Sequence, residues 1–355
     1  MQEEKTKDIS ANTPVVNRTF WQRLTGKGNG VRLSTMAKII LYLGGFTILM
    51  VVASILYGAV PAGQDPGAAI DYPKEWDFRW DAIKWIDGIV DWVVVNWDPF
   101  FEVIRAIVLG ILLPFRDFLM WLPWWLVIAG TGLLAWRVVG ARFGVIAVLF
   151  LGFMAIMGLI DMLMMTLAIT LTATLLCVVV GIPVGIAASR SDRFEAMLRP
   201  ILDAMQTMPS FVYLIPALML FGLGMTPAVM ATCIYAVPPI IRLTNLGIRE
   251  VDAQVVEASR SFGTTPMQLL TKVQVPMALP TILAGLNQTV MMALAMVVLA
   301  SMIGASGLGV EVLNGLARVE PGRGFIAGIS IVFTAIILDR VSQAFARRQE
   351  TRAVS

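Results

Sequence analysis

The 355-residue sequence predicts an all-α integral membrane protein with about eight transmembrane helices. Three observations carry that prediction. Hydrophobic residues make up 57% of the chain and charged residues only 14%, against about 25% charged in soluble domains. Apolar stretches near the length needed to cross a bilayer, about 20 residues, recur along the chain. The chain has no His, and both cysteines, Cys177 and Cys233, fall inside such stretches. A disulfide framework, a zinc site and His acid–base chemistry are therefore not expected. The net charge of +3 is too small to imply a nucleic-acid partner.

Taken in order, residues 1–38 form a basic tail, and 39–60 the first apolar stretch. A polar tail of nearly forty residues precedes that stretch and its core is long, so it reads as a span rather than a cleaved signal. Pro61 to Leu122 carries ten acidic and five basic residues. Within it Asp81, Lys84, Asp87 and Asp91 recur at helical spacing, opposite a stripe of Ile83, Ile86, Val90, Val93 and Trp97. That pattern predicts an amphipathic helix along the outer interface, with Trp80, Trp85 and Trp92 near headgroup level. Its tryptophans offer aromatic faces to a quaternary ammonium cation, although interfacial Trp is common in any membrane protein. The following run, Ala106 to Leu113, is too short to span and is flanked by Arg105 and Arg116.

Further spans are expected at 123–139, 143–160, 163–187, 205–223, 226–241, 281–303 and 325–341, with a short tail at 347–355. Pro209, Pro216, Pro227, Pro238 and Pro239 interrupt the 205–241 region. With both termini on one side, that side collects 20 of the 27 Lys and Arg, including Arg137, Arg190, Arg242, Arg249, Arg260 and Lys272. The excess of basic loops marks it as the cytoplasm.

Between two greasy stretches lies "EASRSFGTTPMQLLTKVQVP", Glu257 to Pro276. Val251, Val255, Ala258 and Phe262 are spaced as one face of a short helix, with Asp252 as its N-cap. Gly263 sits where a helix end takes a left-handed residue. Thr265 then caps a second helix, with Pro266 at its first position and Gln268 closing a capping box. That helix is expected to run about two turns before Pro276 stops it. The result is a rigid elbow offering Met267, Leu269 and Leu270. A solvated loop is the plain alternative, but such loops seldom carry two sets of caps.

Glu257-Ala258-Ser259, three residues, Gly263, nine residues and Val273-x-Val275-Pro276 resemble the EAA-x3-G-x9-I-x-L-P pattern of binding-protein-dependent ABC importer permeases. Ser259 replaces the second Ala, and Val replaces Ile and Leu. "LDAMQTMPSFVYLIPALMLFG" (202–222), "PPIIRLTNLGI" (238–248) and "ILAGLNQTVMMALAMVVLASMI" (282–303) are similar to the glycine betaine/proline betaine branch. The resemblance covers about 120–345. It implies a type I ABC importer permease fold over 123–346, in a bacterial inner membrane, working as a homodimer with two ATPase subunits and a soluble or lipid-anchored binding protein. It also implies that the segment from Pro266 to Leu270 docks into an ATPase groove, with Glu257 holding the elbow. ATP and Mg would belong to that partner. Consistently, no G-x-x-x-x-G-K-[ST] stretch occurs, and "GKGNG" at 26–30 lacks the spacing of a phosphate loop.

Polar residues inside the spans are Thr166, Thr170, Thr172, Thr174, Gln206, Thr207, Ser210, Tyr213, Asn287, Gln288 and Thr289. Of these, Gln206, Tyr213, Asn287 and Gln288 are the candidates for a solute path; the threonines can satisfy themselves on their own helix. Spans nearly free of formal charge suit a zwitterion, and a cation path would show acidic rings. Gly181-x-x-x-Gly185 and Gly324-x-x-x-Gly328 are spaced for close helix contact, which chance also produces. Gly222, Gly224, Gly304, Gly307 and Gly309 mark outer turns that could act as hinges. The 21 methionines read as packing rather than metal ligands. Three readings stand: an importer subunit for betaine-like solutes, a related permease for choline, taurine or an amino acid, and an osmotically gated passive channel. An enzyme is disfavoured, since no nucleophile, acid–base pair or metal cluster is in place.

Overall fold

A computed structural model describes residues 35–58 and 78–354, and these residues fold into helices joined by short turns. The basic tail before residue 35, including "GKGNG", and the first part of the 61–122 segment lie outside the described residues. The helices are α1 (Thr35–Gly58), α2 (Arg79–Asn96), α3 (Asp98–Trp121), α4 (Trp124–Val138), α5 (Ala141–Ile156), α6 (Ile160–Arg190), α7 (Asp192–Thr207), α8 (Leu214–Phe221) and α9 (Met225–Arg249). After these come α10 (Ala253–Ser261), α11 (Pro266–Leu269), α12 (Val275–Ala300), α13 (Leu308–Ala317) and α14 (Pro321–Val354).

Within the described residues the expected spans fall largely on helix, but four stretches, or five if the bent 192–221 pair is one span, are long and apolar enough to cross a membrane instead of the expected eight. The four are Ile160–Arg190, Met225–Arg249, Pro266–Ile303 and Pro321–Ala346. The 123–139 and 143–160 stretches fold as helices of 15 and 16 residues. The 205–223 stretch is not one helix. α7 stops at Thr207, a 3₁₀ turn covers Ser210–Tyr213, and α8 leaves at 108° to α7. Pro209 lacks an N–H and forces Met208 into an extended conformation, with ψ 134°. By contrast Pro238 and Pro239 sit inside the unbroken α9.

The region before residue 122 also differs from expectation. Ala106–Leu113 is not an isolated short run but the middle of α3, 24 residues long with Pro114 inside it. Val108 and Leu112 are fully buried against Ile169 and Ala173 of α6 and Val229 of α9. Charged residues sit toward its ends, where Arg105 Nη2 donates to the Phe221 carbonyl at 3.1 Å. α2 has no buried residue, and Trp80, Trp85 and Trp92 are exposed.

The core is built on the α6, α9 and α12 helices. Small residues set how near they come. A Cβ at Gly181 would lie 2.4 Å from Ile240 Cγ2, and one at Gly185 2.6 Å from Thr244 Cβ and 2.8 Å from the Ile241 carbonyl. On the other flank of α9, a Cβ at Gly285 would lie 2.9 Å from Leu243 Cβ. α9 is thus held between two glycine-lined faces. The Gly181–Gly185 pair serves close contact as expected; Gly328, of the second pair, has nothing within 4 Å of its Cβ position. One turn along from Gly181, the two cysteines meet: Cys177 Sγ lies 3.6 Å from Cys233 Sγ, and both are free thiols. Two cysteines that the sequence separates by more than fifty residues are brought together by neighbouring helices.

A second cluster joins the α4–α5 hairpin to α14, where the Phe150 and Phe333 rings stack with centroids 3.8 Å apart and 5° between planes. At the glycine-rich end, Gly222, Gly224, Gly304 and Gly307 all take positive φ. The two turns are pinned to each other and to α6: Gly224 N donates to the Ile303 carbonyl at 2.9 Å, and Leu308 N donates to Thr166 Oγ1 at 2.9 Å.

Candidate functional site

The elbow begins two residues after α9 ends. Asp252 Oδ1 accepts from Gln254 N at 2.8 Å, capping α10. Phe262 closes that helix, and Gly263 turns left-handed at φ +78°, a conformation that carries a Cβ penalty for any other residue. Thr264 Oγ1 donates to the Ser259 carbonyl at 2.8 Å and braces the turn. The capping box then forms on both sides: Thr265 N donates to Gln268 Oε1 at 2.9 Å, and Gln268 N to Thr265 Oγ1 at 3.4 Å. Pro266 occupies the first turn, where its missing N–H costs nothing.

Two expectations for this segment are corrected. First, Pro276 does not end the second helix. Leu270–Gln274 forms a π turn in which Val275 N donates to the Leu270 carbonyl, and the chain runs on as one 38-residue helical stretch from Pro266 to Ile303. The wider turn accommodates the bond that Pro276 cannot make. Second, of Met267, Leu269 and Leu270, Met267 alone is exposed as expected. Leu269 and Leu270 are 5% and 6% exposed, and Leu270 packs with Ile240, Ile248 and Ile282 in the core. The exposed residues of the elbow include Glu257, Ala258, Arg260, Pro266, Gln268, Met267 at 65% and Phe262 at 89%. Periodicity put Phe262 on one face of a short helix with Val255 and Ala258; the helix ends one residue earlier, and the ring of Phe262 is exposed.

Arginines that counted only as loop charges also meet here. Arg190, the last residue of α6, donates from Nη2 to the Pro266 carbonyl at 3.2 Å. Arg249 donates to the Ala188 carbonyl at 2.8 Å, to Asp192 Oδ1 at 2.6 Å and to Asn245 Oδ1 at 2.9 Å, joining the ends of α6, α7 and α9. Their signal in the sequence was their place in the last turns of long helices. Beside them a cleft of about 380 Å³ between α7 and α9 is lined by Glu195, Arg199, Asp203, Arg242 and Asn245, with Arg242 paired to Asp203 and Arg199 to Glu195.

The expected solute-path residues are not gathered around one opening. Gln206 is exposed in the last turn of α7. Tyr213 is buried, its hydroxyl donates to the Met205 carbonyl across the break, and its ring lies 5.9 Å from that of Tyr235. Asn287 is engaged with α14: its Nδ2 donates to Asp339 Oδ1 at 2.9 Å and its Oδ1 accepts from Ser342. Gln288 is exposed. Thr166 and Thr174 bond their own helix, to Met162 and Thr170 carbonyls, whereas Thr170, Thr172, Thr244 and Thr289 carry buried hydroxyls without a partner among the described residues.

Comparison with known proteins places this architecture. Residues 178–351 match the family described as "Binding-protein-dependent transport system inner membrane component". The chain is 48% identical over 269 residues to the glycine betaine/proline betaine transport system permease protein ProW of Escherichia coli, covering 76% of each chain. It is 46% identical to the glycine betaine/carnitine transport permease protein GbuB of Listeria monocytogenes, covering 76% of this chain and 96% of that one. The corresponding figures for the glycine betaine transport system permease protein OpuAB of Bacillus subtilis are 43%, 75% and 95%. The elbow lies inside the matched residues, and the chain belongs to the family of binding-protein-dependent transport system inner membrane components, as the multi-pass permease of an ABC importer whose ATPase is a separate subunit.

Proposed function

We propose that this chain carries glycine betaine, proline betaine and similar zwitterionic compatible solutes inward by alternating access. Two copies form the pathway, each docked through its elbow to one of two ATPase subunits, and a soluble or lipid-anchored binding protein delivers the solute. ATP and Mg²⁺ are bound by the ATPases, and both termini of the permease face the cytoplasm. The observation that carries this reading is the doubly capped elbow, which presents Glu257, Ala258, Phe262 and Met267 on a rigid frame rooted by Leu269 and Leu270. Exposed apolar side chains on a frame with fixed backbone suit insertion into a partner's groove, because little conformational freedom is lost on docking. The names of the three relatives, each a betaine permease, support the solute class.

The deciding experiment is uptake of labelled glycine betaine into vesicles holding the permease, its ATPase and its binding protein. Uptake that needs all three components and ATP on the elbow side is expected. Flux through the permease alone, without ATP, would instead make it a passive channel. ATP-driven uptake of another solute with no competition by betaine would keep the importer and overturn the solute class.

A further inference from the structure

Besides the Leu270 side chain, which lies in one core cluster with Ile240 and Ile248 of α9, two links attach the elbow to the α6–α9 pair. One is the chain itself, which leaves α9 at Arg249 and enters α10 through Asp252. The other is Arg190, whose Nη2 donates to the Pro266 carbonyl at 3.2 Å. Pro266 is the first residue of the turn that carries Met267, and it lies three residues past Gly263, so this bond grips the far arm of the elbow rather than its entry. Arg190 in turn ends a 31-residue helix, and that end is itself fixed: Arg249 of α9 donates to the Ala188 carbonyl in the same turn and to Asp192 just beyond it. A push on Phe262 or Met267 could rotate the elbow about the Asp252 entry. The Arg190 bond opposes that rotation and hands the displacement to α6.

We propose that Arg190 is a positioning residue for coupling: it makes the ATPase-docking elbow and α6 move together, so that ATPase closure is converted into movement of the membrane helices. This rests on the elbow being the ATPase-docking segment. Docking itself uses the exposed face of the elbow, which Arg190 does not form. The contact needs a single N–H donor on one carbonyl, so lysine can replace arginine here, and alanine cannot.

The assembled transporter, with its ATPase and binding protein, is reconstituted as wild type, Arg190→Ala and Arg190→Lys, and solute uptake and ATP hydrolysis are measured in the same vesicles. Arg190→Ala is expected to retain ATPase co-purification while the solute moved per ATP falls about five-fold, the scale of a lost coupling contact. Arg190→Lys is expected to restore most of that ratio. An unchanged ratio in Arg190→Ala overturns the proposal. So does a loss of ATPase co-purification that matches the loss of uptake, because Arg190 would then serve docking. Failure of the docking reading is separately visible, as continued ATPase capture by a Phe262→Asp, Met267→Asp double variant that keeps Arg190.

Discussion

The Tyr213 hydroxyl donates to the carbonyl of Met205, so one phenol spans the 108° break between α7 and α8. Met205 lies in the last turn of α7, and Tyr213 ends the 3₁₀ turn that follows Pro209. The bond ties the corner together across Pro209, which has no N–H to donate to α7. Tyr213→Phe keeps the buried ring and removes the donor, leaving the carbonyl unpaired. A loss of about 1 kcal/mol is expected, read as a drop of a few degrees in the unfolding midpoint of the detergent-solubilised protein. An unchanged midpoint would mean that the corner is held by packing alone.

Gly263 at φ +78° is the point on which the elbow turns. Proline there is confined to φ near −65° and cannot adopt it. Gly263→Pro should leave the permease in the membrane at normal abundance but strip the ATPase from it during purification. Normal ATPase recovery would contradict the docking role of this segment.

The contact between α6 and α9 depends on missing side chains. At Gly185 an added Cβ meets the Ile241 carbonyl at 2.8 Å, a backbone atom that cannot rotate away. Gly185→Ala is therefore expected to destabilise the folded chain by about 1–3 kcal/mol, whereas Gly328→Ala, with open space around it, should be close to neutral. Parallel melts of the two variants provide the comparison.

Asn287 bonds Asp339 and Ser342 and so clamps α12 to α14. Asn287→Leu should lower thermal stability and leave the concentration dependence of solute uptake unchanged. A large rise in the half-saturating concentration, with stability intact, would return this residue to the solute path.

Cys177 and Cys233 are 3.6 Å apart between their sulfurs. An oxidant such as copper phenanthroline should join them within one chain, found as a single disulfide-linked peptide pair after digestion under non-reducing conditions. Cross-linking between two chains instead would show that this face of α9 points to a second copy.

Much of the elbow was legible in the sequence, because caps are local chemistry. Asp252, Gly263, Thr265, Pro266 and Gln268 each act within a few residues of themselves, and each does in the structure what its residue type implies. What failed was non-local. Whether Leu270 faces outward or into the core depends on Ile240 and Ile248, which belong to α9, an earlier helix of the chain. Pro276 read as a stop because an α register was assumed, and a π turn was not considered. The polar residues of the spans suffered in the same way: a side chain such as Asn287 reads alike whether it faces a solute or Asp339, and only the neighbouring helix decides. Prolines were equally ambiguous, since Pro209 breaks its helix while Pro238 and Pro239 do not.

The π turn at Leu270–Gln274 means that the arm of the elbow from Pro266 onward and α12 form a single shaft with one residue too many in one of its turns. Each residue advances an α-helix by about 100° and 1.5 Å. The wider turn takes up that extra residue locally, so the exposed face around Met267 keeps about the angular phase to α12 that an unbroken α-helix would give it. Deleting one residue of Leu270–Gln274 would restore an ordinary α register and leave Met267 at about its present angle, whereas deleting one from the α-helical part of the shaft would rotate it by about 100°, like a key cut correctly and mounted on the wrong side of its stem.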